Sequence, residues 1–357
     1  MISKLLLKHS IQQKWNLDIV SIRSKLKQCD ITPLSTSQRK EIIDFFYNLS
    51  GDKVPTYWHE YFFSRNGNYS VKYIPTSWYH REIIYRLNVY NFCNPYVDKG
   101  LYDIYFPDVN RPKTIIKNIN GYFYDGCSPI TRDEALERCR NIHAAVSKPS
   151  LESMWGKGIH VFSTSDGLMD TGMPIEELMD SYGKNYIIQE KVEQHEGMSK
   201  LNPTSLNTLR VLSYRHGNEV FVLYVVVRIG RKGKNVDNET AGGINADIDL
   251  RDGTIIDCAY GTPSEKRILT TDVGTTLKGF KIPGFLEVVE LVKELHTRLP
   301  YFNLIGWDFG IGKTGHPIMI EWNRCPDLSQ TAHGPAFGDM TEEIIKYSLK
   351  QKDSRYV

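Results

Sequence analysis

The sequence predicts an α+β fold behind a mainly helical N-terminal region, and three observations carry that prediction. Residues 1–97 read as helical and irregular. From 98 the pattern changes, mixing short strands of alternating apolar residues with short capped helices. From 205 onward the chain is strand-rich, with one amphipathic helix before the last hairpin and another after it.

Each element has its own signal. Ser35-Thr36-Ser37-Gln38 starts a helix with Ile42, Ile43, Phe45 and Phe46 on its apolar face. Thr76 to Ile84 starts another, on which His80 and Arg81 are either substrate contacts or surface and core residues. Leu101 to Phe106 predicts a short helix, and Lys113 to Lys117 a strand that turns at Asn120-Gly121. Thr131, with Glu134 three residues on, makes a capping box for a helix running toward Asn141. Ala144 to Pro149 is a strand ending at proline, Ser150 to Gly158 a loop, and Ile159 to Phe162 a further strand. Pro174 opens a helix with Ile175, Leu178 and Met179 on one face, and Gly183 ends it. Tyr186 to Val192 is a strand that runs into polar residues. Thr208 to Tyr214 and Glu219 to Ile229 form a hairpin around His216-Gly217-Asn218, and Ala246 to Leu250 is a strand turned at Arg251-Asp252-Gly253. Phe285, Val288, Val289, Val292, Leu295 and Leu299 recur at helical spacing, and Met340 to Leu349 is the final helix.

Composition narrows the function classes. A formal net charge of +2 over 357 residues gives no case for nucleic-acid binding. The six cysteines are scattered, without CxxC or zinc-ligand spacing, so a reducing, cytoplasmic setting is expected. No apolar run is long enough to span a membrane. Met1 to Trp15, with Leu5, Leu6, Leu7, Ile11 and Trp15 among Lys4, Lys8 and Lys14, reads as a basic amphipathic helix. It either packs on its own domain or makes peripheral membrane contact.

The chemistry gathers near the C-terminal end. Ile305 to Ile311 and Pro317 to Asn323 flank the turn Gly312-Lys313-Thr314-Gly315-His316, a β-hairpin. Side chains alternate along a strand, so Glu321 and Asn323 share a face, and a turn centred on Thr314-Gly315 sets Asp308 opposite Glu321. Two carboxylates and an amide then converge among Trp and Ile side chains, where like charges repel and are poorly solvated. The trio is either a solvated face of the hairpin or an all-oxygen cradle for a hard cation such as magnesium. Lys148 ends a strand and precedes a loop with Ser153 and Gly156, whose backbone N–H groups can face phosphate, although GxxxxGK[ST] is absent. Arg228, Arg231, Lys232 and Lys234 alternate with glycines, either a solvated turn or a clamp over polyphosphate. Arg210 lies on an otherwise apolar strand and needs an anionic partner.

The matching residues are Asp98-Lys99, Ser147-Lys148-Pro149, Ile188-Gln189-Glu190, Leu206 to Val211, Asp237-Asn238 with Ala241-Gly242-Gly243, and Gly306-Trp307-Asp308 with Glu321-Trp322-Asn323. On these the chain resembles ATP-grasp enzymes, most closely the sugar-transfer-associated branch, over residues 95–335. The resemblance implies the ATP-grasp fold, in which two α+β subdomains, here residues 98–190 and 191–357, clasp ATP behind the helical region 1–97. By position, Lys99 and Lys148 would contact the α- and β-phosphates, and the loop holding Ser153 and Gly156 would close over the triphosphate. Gln189, Glu190, Lys191 and Val192 would form the hinge that reads adenine, with Glu190 or Glu193 on the ribose and Asn238 also at the nucleotide. Asp308, Glu321 and Asn323 would ligate magnesium, Glu321 bridging two ions. Arg210 and Arg228 would stabilise the transferred phosphoryl group or the acyl phosphate. Two departures stand out: the first hundred residues lack a doubly wound βαβ pattern, and Met154 and Trp155 make the loop bulky.

The activity so implied is ATP-dependent carboxylate–amine ligation through an acyl phosphate, with small-molecule substrates that include a sugar or amino acid. The branch points toward amide formation on a cell-surface polysaccharide precursor. The alternatives are a phosphotransferase on the same scaffold and a nucleotide-binding partner protein without turnover; the complete acid–acid–amide trio argues against the last.

Overall fold

The computed structural model describes the backbone of residues 2–90, 93–151, 158–234, 237 and 241–356, and their side chains except those of 2–6, 93 and 94. Ser153, Gly156 and Asn238 lie outside the described residues. The N-terminal region is helical: α1 (Ile2–Leu26), α2 (Thr36–Ser50), α3 (Tyr57–Asn66) and a stretch at 76–87 containing a π turn at Tyr79–Ile83. Ser35 and Gln38 close a reciprocal capping box at the start of α2.

The first sheet holds β1 (Thr114–Ile119), β2 (Tyr122–Asp125), β3 (Ser128–Ile130), β4 (Ile142–Pro149), β5 (His160–Ser165), β6 (Leu168–Met169) and β7 (Tyr186–Glu190). It is antiparallel, in the order β3-β2-β1-β7-β4-β5-β6. Helices α4 (Arg132–Arg138) and α5 (Ile175–Tyr182) cover one face, where Ala135, Leu178 and Met179 pack on Ile116, Ala145, Phe162 and Ile188. The opposite face carries a cross-strand row, Lys148–Ile187–Lys117.

The second sheet holds β8 (Thr208–His216), β9 (Glu219–Ile229), β10 (Ile244–Ile248), β11 (Ile255–Tyr260), β12 (Leu304–Ile311) and β13 (Pro317–Asn323), in the order β11-β10-β9-β8-β12-β13. Helix α6 (Phe285–Thr297) buries Phe285, Val288, Val289, Val292 and Leu295 against one face. Each such side chain contributes about 1.5–3 kcal/mol by leaving water. Beneath α6, Trp307 Nε1 donates to Ser213 Oγ at 2.8 Å, Ser213 meets His296 Nδ1 at 2.8 Å, and His296 Nε2 meets the Phe302 carbonyl at 2.9 Å. The other face is divided. Leu212, Tyr214, Tyr224, Val226 and Leu304 pack against the N-terminal helices and α7 (Thr341–Lys350), while the remainder is polar. Tyr102, Phe106 and Val109 of the connecting segment pack into the core on the α6 side.

The last hairpin reaches its register by an indirect route. Pairing runs Ile311 with Pro317, Gly310 with Ile318 and Phe309 with Met319, a loop centred on Thr314. Continued regularly, it would oppose Asp308 to Ile320. A bulge skips Ile320 and brings Glu321 opposite Asp308. The expected acid pair is formed, by a loop one residue shorter than expected plus a bulge.

Candidate functional site

The polar part of the second sheet begins with register. Glu321, Asp308 and Arg210 oppose one another across β13, β12 and β8, so their side chains share one face. Arg210 is the buried arginine that the apolar strand required an anion for, and Asp308 is that anion. Nε lies 2.6 Å from Oδ1 and Nη2 2.8 Å from Oδ2, a bidentate pair. Arg228 Nη1 adds a contact to Oδ1 at 3.5 Å, and Asn323 turns its amide nitrogen toward Oδ2 at 3.5 Å. Burial opposes the Asp308 charge, but the two arginines overcome it and hold the carboxyl down at about 2. Gly306 is needed beside them: a Cβ there would lie 2.6 Å from Pro326 Cβ.

The first sheet and its lead-in bring cations to these acids. Lys99 Nζ sits 3.2 Å from Glu321 Oε2. Asp98 holds the Lys99 turn by accepting from Gly100 N–H at 2.8 Å, and the Lys99 N–H donates to the Ser150 carbonyl at 3.1 Å. Lys117, unmarked in the sequence as a site residue, fastens the same turn. Its buried ammonium donates to the Gly100 carbonyl at 2.7 Å and to Asp103 at 2.6 Å. Its only sequence signal is its place at the end of the apolar-alternating stretch Lys113 to Lys117. Lys148 is buried; burial pulls its ammonium down to about 8, helped by Lys99 and opposed by Glu321. Ser150, at the root of the loop, has a buried hydroxyl with no partner among the described residues.

Of the predicted hinge, Gln189 is buried and donates to the Pro112 carbonyl and Thr114 Oγ1, both at 3.2 Å. The Glu190 and Lys191 amides are engaged by the Lys113 and Ala144 carbonyls. Exposed Glu190 pairs with Lys113 at 2.8 Å, and exposed Glu193 pairs with Lys313 from the hairpin tip at 2.8 Å. Val192 follows β7, and His195 N–H then bonds the Ile311 carbonyl at 2.9 Å, stitching the hinge to β12. The basic loop is tethered: Arg231 pairs with Glu265 and, at 3.1 Å, with Asp272. Asp237 accepts from Thr208 N–H at 3.0 Å; burial pushes its carboxyl up against the pull of Arg228.

Lys99, Lys148, Arg210 and Arg228 thus converge where Asp308, Glu321 and Asp237 supply fewer negative charges, a setting suited to a polyanion. The donor set also suits a hard cation. Asp308 and Glu321 offer carboxylate oxygens and Asn323 an amide oxygen, while Arg210 now holds both Asp308 oxygens and Lys99 lies against Glu321.

No curated protein is similar enough to be matched to the chain. Solved structures that the chain matches include D-alanyl-alanine synthetase A from Vibrio cholerae O1 biovar eltor (14% identity, TM-score 0.42), over 72% of this chain and 64% of that one. D-alanine–D-alanine ligase from Bacillus anthracis complexed with ATP is 10% identical (TM-score 0.38), over 72% of this chain and 65% of its own. L-amino acid ligase from Bacillus licheniformis is 12% identical (TM-score 0.39), over 75% and 50%. The chain therefore spans less than two thirds of each. A family model described as sugar-transfer associated ATP-grasp matches residues 109–344, which contain both sheets and most of the cationic and acidic site residues. With that match over most of its length, the chain belongs to the sugar-transfer associated ATP-grasp family.

Proposed function

We propose that the protein is an ATP- and magnesium-dependent carboxylate–amine ligase working through an acyl phosphate, on small-molecule substrates that include a sugar or amino acid. The acceptor class in this proposal is a cell-surface polysaccharide precursor made in the cytoplasm; the family description, sugar-transfer associated, supports the sugar part of it. The observation that carries the reading is the facing of Lys99 and Lys148 against the Arg210–Asp308–Glu321 row, within a chain of this family.

In this reading residues 98–190 and 191–357 are the two halves that clasp ATP. Val192 and its neighbours read the adenine edge, Glu190 or Glu193 holds the ribose, and Lys99 and Lys148 neutralise the α- and β-phosphates. Asp308, Glu321 and Asn323 would hold magnesium, which supplies charge neutralisation on the phosphate oxygens when bound. Arg210 and Arg228 orient the substrate carboxylate and stabilise charge on the transferred phosphoryl group. The carboxylate oxygen attacks the γ-phosphorus and ADP leaves. An amine then attacks the acyl carbon and phosphate leaves. Neither half requires a side-chain nucleophile.

The test follows ATP, ADP, free phosphate and product masses with magnesium and pooled carboxylates and amines. Free phosphate with a product lighter by water than its two parents supports ligation. A phosphorylated acceptor without free phosphate replaces the ligase with a phosphotransferase, and absence of turnover across the pool replaces it with a nucleotide-binding protein.

A further inference from the structure

The cross-strand row that holds the arginine and acids does not stop at Arg210. Arg210 opposes Val226 on β9, and Val226 opposes Asp247 on β10, so Asp247 lies on the same sheet face as Asp308 and Glu321. Arg228 opposes Asn245, which makes Asp247 its diagonal neighbour, about 7–8 Å away. Asp247 Oδ1 meets His333 Nδ1 at 2.9 Å.

The imidazole is firmly positioned. It stacks on Tyr224, with ring centroids 4.8 Å apart and planes at 26°. The Tyr224 hydroxyl accepts from Ser329 N–H at 2.9 Å, and the arginines of the row, Arg210 and Arg228, lie within electrostatic reach of it. Gln330, three residues before the histidine, is buried and exchanges two hydrogen bonds with the Ile74 backbone, each 2.8 Å. The histidine side chain keeps 23% of its surface open. A carboxylate accepts, so in the neutral ring Nδ1 carries the hydrogen and Nε2 is bare.

Amide formation from an acyl phosphate needs a base. An amine arrives at neutral pH as an ammonium and attacks only after losing a proton. Arginine cannot accept one, and Asp308 and Glu321 are paired with cations. We infer that His333 is the catalytic base for the amine half-reaction, and that Asp247 is its positioning residue; this rests on the ligase reading. The ammonium gives one proton to His333 Nε2. The amine nitrogen forms a bond to the acyl carbon as the carbon–oxygen bond to phosphate breaks. The second nitrogen-bound proton leaves with phosphate as HPO4 2−, and His333 returns the first to water.

The test compares wild type, His333→Gln and Asp247→Asn with ATP and magnesium. The carboxylates are the standard amino acids, glucuronic acid and galacturonic acid; the nucleophile is either hydroxylamine or an amino acid. Hydroxylamine is uncharged at neutral pH, so it traps the acyl phosphate as a hydroxamate without a base. His333→Gln should form hydroxamate at close to the wild-type rate and amide about 10²–10⁴-fold more slowly. Asp247→Asn should show the same split with a smaller loss. Equal amide rates in wild type and His333→Gln overturn the inference and leave the ligase reading standing. Loss of hydroxamate together with amide, in a variant that melts like wild type, also overturns it. If His333→Gln does not fold, Asp247→Asn decides by the same split. Wild type that yields neither product removes the ligase reading, and the inference with it.

Discussion

Asp308 and Glu321 oppose one another, yet their removal should do different things. Asp308 is the buried counter-ion of two arginines, so Asp308→Asn leaves a buried charge uncompensated. A loss of about 3–5 kcal/mol is expected in urea unfolding. Glu321 is partly open, with Lys99 at its carboxylate, so Glu321→Gln should melt like wild type while ATP turnover falls by at least ~100-fold. Near-normal turnover in Glu321→Gln would remove the metal role proposed for it. These acids were legible in the sequence because strand alternation sets faces over a few residues. Arg210 was legible as a charge on an apolar strand. Lys117 was not: a lysine at the end of an apolar strand reads equally as a solvated residue, and only the long-range packing of 98–106 shows that it faces inward.

At the scale of elements, the position of Lys99 depends on a short turn held from three sides by Asp98, Lys117 and Ser150. Lys117→Met should loosen that turn without touching a phosphate. ATP affinity measured by calorimetry should fall, by up to about 100-fold, because small displacements of a positioned group carry large penalties. Unchanged affinity would mean that the turn is held well enough by Asp98 and Ser150 alone. Elements with a capping box or strong apolar spacing were readable, as Ser35–Gln38, Thr131–Glu134 and α6 illustrate, whereas the short strands β2, β3 and β6 and the strand β11 were not. The Ile320 bulge was not, since nothing in a hairpin's alternation marks a skipped residue. The row from Glu321 to Asp247 was also hidden, because it joins five strands whose order is set by packing.

For the whole molecule, the N-terminal helices do not stand apart: they cover the half of the second sheet that the polar row leaves apolar. Their helical character was visible in the sequence, but this role depends on contacts across more than a hundred residues. The packing also buries titratable groups. His59 and His296 are enclosed, and burial lowers both to about 4 from 6.5. The unfolded chain therefore takes up these protons first. Stability is full above pH 6.5 and falls as pH drops toward 4, by roughly 3 kcal/mol for each histidine. Urea unfolding across that range should show the decline, and His296→Gln should remove about half of it; a flat profile would contradict the burial of both rings. The central claim concerns the oxygen that links the two half-reactions. With a carboxylate substrate labelled with 18O and an amine, an acyl-phosphate route must carry one labelled oxygen into the phosphate released by the wild-type protein, and none should be released by Glu321→Gln. Unlabelled phosphate accompanying amide formation would contradict the account.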